Sequence, residues 1–157
     1  MPDQPLKSPR FLSAFRHKVD LKRRVQLPAE WGLRGPAGAD LTLLLWPHND
    51  RLDSCLMVMP PAAADDFMAR LSALPVGASD GEAIKVDMAA NAASLSVDSV
   101  GRIAIPDWMA ERVGIVAGGD VVLNGVWDRF QLWNAASYDE TRPAVRAVAT
   151  TAFRKLT

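Results

Sequence analysis

The sequence predicts an α+β fold built from two tandem ββαββα repeats, and three observations predict it. The segment Val19-Asp-Leu-Lys-Arg-Arg-Val-Gln-Leu-Pro28 returns as Val97-Asp-Ser-Val-Gly-Arg-Ile-Ala-Ile-Pro106, a shift of 78 residues. Val, Asp, Arg and Pro coincide at 19/97, 20/98, 24/102 and 28/106. Self-similarity at a fixed period is the signature of a repeated structural unit. Around it, apolar residues alternate with polar ones, as in Leu95/Val97 and Ile103/Ile105, the period of a half-buried hairpin. Each copy then continues in one order: proline, short helical stretch, Gly-rich connection, two apolar strands and a longer helix.

The elements follow from local chemistry. Asp98-Ser-Val-Gly101 supplies the turn of the first hairpin in the second copy, with Gly101 free to take positive φ. Pro28 and Pro106 cannot donate to a ladder and suit the first turn of a helix. Short helices are expected over Ala29–Leu33 and Asp107–Val113. The next strands are expected over Leu41–Trp46 and Cys55–Met59 in the first copy, and over Val121–Gly125 and Arg129–Trp133 in the second. An Asp-Arg pair at 50–51 recurs at 128–129, again 78 residues on. After Pro60-Pro61, the residues Ala62–Leu74 place Phe67, Leu71 and Leu74 on one helical face. A weaker helix spans about 80–91, with Ile84 and Met88 as its apolar pair. Pro143 restarts a last helix carrying Val145, Ala149 and Phe153, with Arg154 and Lys155 near its C-terminal end. The organisation is a loose arm over 1–10, a first repeat over 11–78, and a second repeat with a C-terminal helix over 79–157.

Composition narrows the class. The chain of 157 residues is 49% apolar and 23% charged, with 10 Gly and 11 Pro. That length can bury a real core, and the balance is globular rather than disordered or fibrous. No apolar run approaches the roughly 18–20 residues of a membrane span. The N-terminus lacks the apolar core of a signal peptide. The lone Cys55 cannot form an internal disulfide, which agrees with a reducing cytoplasm. Net charge is zero but uneven. Residues 1–34 carry Lys7, Arg10, Arg16, Lys18, Lys22, Arg23, Arg24 and Arg34 against Asp3, Asp20 and Glu30, an excess of five positive charges that the remainder cancels. A basic front is either an electrostatic footprint for a polyanion or a solubilising surface.

The run Phe11-Leu-Ser-Ala-Phe-Arg-His17 with Asp20-Leu-Lys-Arg-Arg24 resembles the opening of the MraZ family, whose hallmark is a repeated Asp-x-x-Gly-Arg turn. Asp98-Ser-Val-Gly-Arg102-Ile-Ala-Ile-Pro106 fits that hallmark in full. Val121-Val-Leu-Asn-Gly125-Val-Trp-Asp-Arg129-Phe-Gln-Leu-Trp133 is similar to the family's second hairpin, and Cys55-Leu-Met-Val-Met-Pro60 to the matching piece of the first copy. The resemblance spans about residues 11 to 142. It implies one pseudo-symmetric AbrB-like swapped-hairpin barrel with peripheral helices. It also implies a cytoplasmic, nucleoid-associated transcriptional regulator, not an enzyme, that assembles into rings. Such a regulator binds short direct repeats of promoter DNA upstream of the division and cell-wall gene cluster. The arginines of the turns, Arg24 and Arg102, become the expected DNA contacts. The sequence departs from the hallmark at Arg23, which stands where the family has Gly. A side chain at a positive-φ position is strained, so the first turn is either remodelled or uses Arg23 as an added phosphate contact.

The residues themselves leave two readings of each turn. A tight hairpin projects an arginine whose planar fork grips phosphate or reads guanine O6/N7, while Asp20 or Asp98 fixes the turn. The alternative is an ordinary surface ion pair across the hairpin. Lys18, Lys22 and Arg23 are phosphate contacts or a solvated strand edge. Arg129 reads as structural. The five tryptophans read as core or subunit packing ahead of base stacking, and Cys55 as a buried inert thiol. His17 and His48 lack partners at metal spacing, so neither metal nor cofactor is expected. The competing function classes are an AbrB-like scaffold that has lost DNA binding and an antitoxin-type module.

Overall fold

The computed structural model describes residues 10–33, 40–48, 51–74 and 78–157. The expected arm over 1–10 and the Gly-rich connection before residue 40 therefore fall almost wholly outside the described residues. The first half contributes strands β1 (Ala14–Lys18), β2 (Arg24–Gln26), β3 (Asp40–His48) and β4 (Arg51–Met59), with a 3-10 turn at Ala29–Trp31 and helix α1 (Pro61–Ser72). Helix α2 (Ala78–Ala90) leads into β5 (Ala92–Ser96), β6 (Arg102–Ala104), α3 (Asp107–Arg112), β7 (Asp120–Gly125), β8 (Phe130–Asn134) and α4 (Ala135–Phe153), closed by a 3-10 turn at Arg154–Leu156.

The halves interleave. Six strands form one antiparallel sheet in the order β1-β7-β8-β4-β3-β5, and β2 pairs with β6 in a separate two-stranded ribbon. Each half thus lends its first strand to the other: β1 lies along β7, and β5 along β3. The register is two-fold related. Lys18 faces Asp120 as Ser96 faces Asp40, Val122 faces Trp133 as Thr42 faces Met59, and Met57 faces Gln131 at the centre. Matching positions are consequently 78 apart in the first hairpin, 80 apart in β3/β7 and 74 apart in β4/β8. Cys55, not Arg51, occupies the place of Arg129, so the Asp-Arg recurrence at 50–51 and 128–129 is a coincidence of spacing.

The expected closed barrel does not form. β1 and β5 are sheet edges, each paired on one side only, and the ribbon stands apart from the sheet. The chain leaves the sheet at two tight turns, and the three-residue strands that follow are long enough only to pair with each other.

Both sheet faces are covered, which explains why the central strands read as continuous apolar runs. One face, with Leu41, Leu43, Leu56, Val58, Leu123, Phe130 and Leu132, packs on Trp31, Met109, Ala110 and the underside of the ribbon. The other face carries Leu44, Met57 and Met59 against Ala63 and Phe67 of α1. It also carries Cys55, Val122 and Trp133 against Ala135 and Tyr138 of α4. Phe11 joins Trp31 and Phe130 in an aromatic cluster with ring centroids 4.8–5.2 Å apart.

Pro28 and Pro106 stand as N-cap residues just before their helical turns, where the expected ranges Ala29–Leu33 and Asp107–Val113 leave them, but the last helix begins earlier than expected. Helix α4 starts at Ala135 instead of restarting at Pro143, because the Asn134 side chain accepts from the Ser137 N–H and caps it there. Pro143 sits inside the helix on an exposed stretch. Water can therefore reach the Asp139 carbonyl that Pro143, lacking an N–H, cannot satisfy.

Candidate nucleic-acid interface

The ribbon is built by alternation. Val25 and Ile103 face each other and are fully buried, so their neighbours Arg24, Gln26, Arg102 and Ala104 all stand on the opposite, outward face. Arg24 lies opposite Ala104, and Arg102 opposite Gln26. The two arginines are therefore diagonal neighbours on one surface, about 7–8 Å apart by the geometry of such pairs.

The turns that precede them are the same in hydrogen bonding. In the first, Asp20 N–H donates to Arg24 O at 3.0 Å and Arg23 N–H to Asp20 O at 3.0 Å; in the second, Asp98 N–H donates to Arg102 O at 2.9 Å and Gly101 N–H to Asp98 O at 3.0 Å. The Asp20 Oδ1 accepts from the backbone of Lys22 and Arg24 at 2.9 and 2.8 Å, and its Oδ2 from Arg24 Nε at 2.7 Å. Asp98 repeats this with Val100, Arg102 and Arg102 Nε at 3.0, 2.8 and 2.9 Å. The Arg24 and Arg102 amides, foremost among these donors, hold both carboxyls below the usual carboxylate range against the opposing effect of desolvation. Each guanidinium is thus held at Nε, and among the described residues its Nη groups have no protein partner. An arginine fixed at the base with a free fork is arranged for bidentate recognition of phosphate or a base edge.

Arg23 keeps the first turn in shape rather than remodelling it. Its φ is +56°, against +84° for Gly101. Its side chain does not project from the tip. It is largely covered, and Nη1 reaches Asp107 Oδ1 at 2.7 Å, while Nε is buried without a partner. Lys22 is exposed at the tip beside Leu21. Lys18 Nζ holds Asp120 at 2.9 Å across the β1–β7 edge, and Arg16 pairs with Asp139 of α4. Arg24 and Arg102 thus share the ribbon's outward face, each in an ion pair with the aspartate of its own turn, Lys22 is exposed at the first turn, and Lys18 and Arg23 pair with Asp120 and Asp107. Arg129 is tucked beside Asp128, mostly buried. Of the tryptophans, Trp31 and Trp133 are buried, Trp46 is half-buried against Phe67, and Trp108 and Trp127 are exposed. Two residues of the site went unnoticed in the sequence, Gln26 and Asp107. The signal that could find them is that each is polar where the matching residue of the other copy, Ala104 or Ala29, is not.

Among the described residues, no helix is long and apolar enough to cross a membrane. None of their His, Cys, Asp and Glu side chains form a group of three placed to hold a metal ion.

Fold and site define an α+β protein whose interleaved halves present two arginine turns on one ribbon. No family model matches the chain. Curated relatives cover most of it. A transcriptional regulator MraZ of Variovorax paradoxus is 31% identical over 131 residues, 82% of this chain and 85% of that protein. Those of Leuconostoc mesenteroides and Roseiflexus castenholzii are 28% and 27% identical over 82% and 93% of this chain, and 83% and 96% of their own lengths. The chain belongs to the MraZ family of transcriptional regulators.

Proposed function

We propose that the chain is a sequence-specific, double-stranded-DNA-binding transcriptional regulator of the division and cell-wall gene cluster, acting in the cytoplasm at the nucleoid. The observation that carries this reading is the shared outward face of Arg24 and Arg102, each anchored at Nε by an aspartate with its fork free. In this reading the two forks enter a groove and Lys22 holds a phosphate. Lys18 and Arg23 contact phosphate only by exchanging their aspartates for it. The exchange of strands between halves supports reading the architecture as an AbrB-like swapped-hairpin arrangement of two repeats, 11–78 and 79–157, even though the sheet is open. One ribbon offers little contact area. Binding to promoter direct repeats then calls for several subunits in a ring, where avidity multiplies weak contacts.

The test is fluorescence anisotropy with duplex DNA from upstream of the chain's own gene and a base-scrambled control, across a salt series. The wild type prefers the native duplex with a steep salt dependence. Arg102→Ala loses the preference, whereas Lys22→Ala weakens binding to both duplexes alike and lowers the salt slope by about 1. Equal and feeble binding to both duplexes refutes the reading and favours a scaffold. The scaffold has an observation of its own: Arg16, Lys18, Arg23, Arg24 and Arg102 all pair already with aspartates of this chain.

A further inference from the structure

The two arginine turns share one backbone pattern, yet the side chains that hold them in place differ, and each comes from the other half of the chain. Over the second turn lies Gln26 of β2. Its Nε2 donates to Val100 O at 2.9 Å and Gly101 O at 3.2 Å, with Leu27 O at 3.3 Å. Those first two carbonyls belong to the two peptide planes immediately before the Arg102 Cα. Leu27 N–H adds a bond to Gly101 O at 2.9 Å, which the first turn matches with Ile105 N–H to Arg23 O at 2.9 Å, so the side-chain bonds of Gln26 are what differ. Gln26 is also the direct cross-strand neighbour of Arg102. The matching position on the other side is Ala104, which has no donor and leaves the first turn without such a clamp.

The first turn is held by other means. Arg23, in the place of Gly101, reaches back to Asp107 at the start of α3. Asp107 in turn stands where the first half has Ala29. Three matched positions therefore differ together: Gln26 against Ala104, Arg23 against Gly101, and Asp107 against Ala29. Beside the second turn lies an open pocket of about 450 Å³. Ala29, Val100 and Gln26 line it. The buried Arg23 Nε has no partner, so Asp107 is the acceptor on which the placement of that guanidinium depends.

We propose that Gln26 and Asp107 are positioning residues for DNA recognition, each fixing the arginine turn contributed by the opposite half. Gln26 sets the peptide planes beneath Arg102, and Asp107 anchors Arg23 next to Arg24. The inference rests on the DNA-binding reading for its function, while the latches themselves can be observed without DNA. Their chemistry also separates them. The amide clamp involves no net charge. The Asp107 side chain is largely exposed, so the ion-pair latch weakens as salt rises.

The experiment uses the full chain with Gln26→Ala, which removes the donor without adding charge, and Asp107→Asn, with Asp107→Glu as the conservative rescue. The first readout is DNA-free: amide hydrogen exchange and the arginine Nε–H resonances by NMR. Gln26→Ala speeds exchange at Gly101 and Arg102 and shifts the Arg102 Nε–H signal, leaving Arg24 unchanged. Asp107→Asn does the converse, and Asp107→Glu restores it. Raising salt screens the Asp20–Arg24 and Asp98–Arg102 pairs alike, and the larger change at the first turn reports the Asp107 latch. The second readout is anisotropy on the native and scrambled duplexes above. Gln26→Ala, which changes no charge, keeps the salt slope but lowers the preference for the native duplex about tenfold, within the range of one arginine–base contact. Unchanged exchange and Nε–H signals in both variants overturn the latches. Altered turn signals with an unchanged duplex preference overturn the positioning role. Absent preference in the wild type instead overturns the DNA-binding reading and leaves the DNA-free result standing. Thermal melts close to wild type separate all of these from loss of the fold.

Discussion

Gly125 closes the sheet against the incoming N-terminal segment, and alanine there is expected to be costly. The Cβ of an alanine at 125 would lie 2.3 Å from the Phe11 carbonyl oxygen, 2.5 Å from its carbon and 2.8 Å from Leu12 N. All three are backbone atoms, so no rotamer change relieves the contact. Reaching even 3.0 Å from 2.3 Å requires the segment to withdraw by 0.7 Å. That segment is held by Phe11 N–H to Trp127 O at 2.6 Å, Trp127 N–H to Phe11 O at 3.0 Å and Gly125 N–H to Ser13 O at 2.9 Å. It also inserts the fully buried Phe11 ring between Trp31 and Phe130. Losing a buried phenylalanine costs about 3–5 kcal/mol, the ceiling for full withdrawal, and each hydrogen bond about 1 kcal/mol net. We expect Gly125→Ala to destabilise by about 3 kcal/mol, read by urea denaturation with tryptophan fluorescence, or as a fall in Tm of about 6–12 °C. Gly32→Ala is the control. Its φ is +68° with nothing within 4 Å, so backbone strain alone costs about 1–2 kcal/mol. Phe11→Ala combined with Gly125→Ala is expected to cost less than the sum, since both release the same segment. A Gly125→Ala chain as stable as wild type, or additive with Phe11→Ala, refutes the reasoning.

Two further predictions concern titration. Asp20 and Asp98 have folded pKa values below the ordinary 3.8. Their contribution to the turns is therefore complete above that value and drains away as pH falls through the lowered folded values. Amide protection at Arg24 and Arg102 is expected to hold down to the ordinary carboxylate range and to collapse below it, and protection that instead falls between pH 7 and 5 contradicts this. Burial pushes the Cys55 thiol up to about 12. Iodoacetamide at pH 8 is accordingly expected to leave the native chain unmodified and to label it in denaturant, with rapid native labelling as the contrary result.

Much of the local structure is legible in the residues. Alternation around Val25 and Ile103 puts Arg24 and Arg102 on the outward face, Asp20 and Asp98 make the turns, and the continuous apolar strands declare themselves buried on both sides. The sequence also misleads in particular places. Pro143 looks like a helix start because a proline normally interrupts a helix, whereas the cap at Asn134 is set by a side chain reaching Ser137. The Asp-Arg recurrence at 50–51 and 128–129 keeps a spacing of 78 although the strands that carry it match at 74, because the connections between strands differ in length.

By itself, then, the sequence determined the elements, their period and the chemistry of each turn, since these depend on residues within a few positions of one another. Only the tertiary structure decided that β1 belongs to β7 and β5 to β3, that the sheet stays open, and that Arg23 turns inward to Asp107 while Gln26 crosses to the carbonyls of Val100 and Gly101. Those partners lie 48 to 110 residues apart along the chain. Pattern within a window cannot pair them, because what joins them is strand exchange between the two halves and the burial of a common core beneath the ribbon.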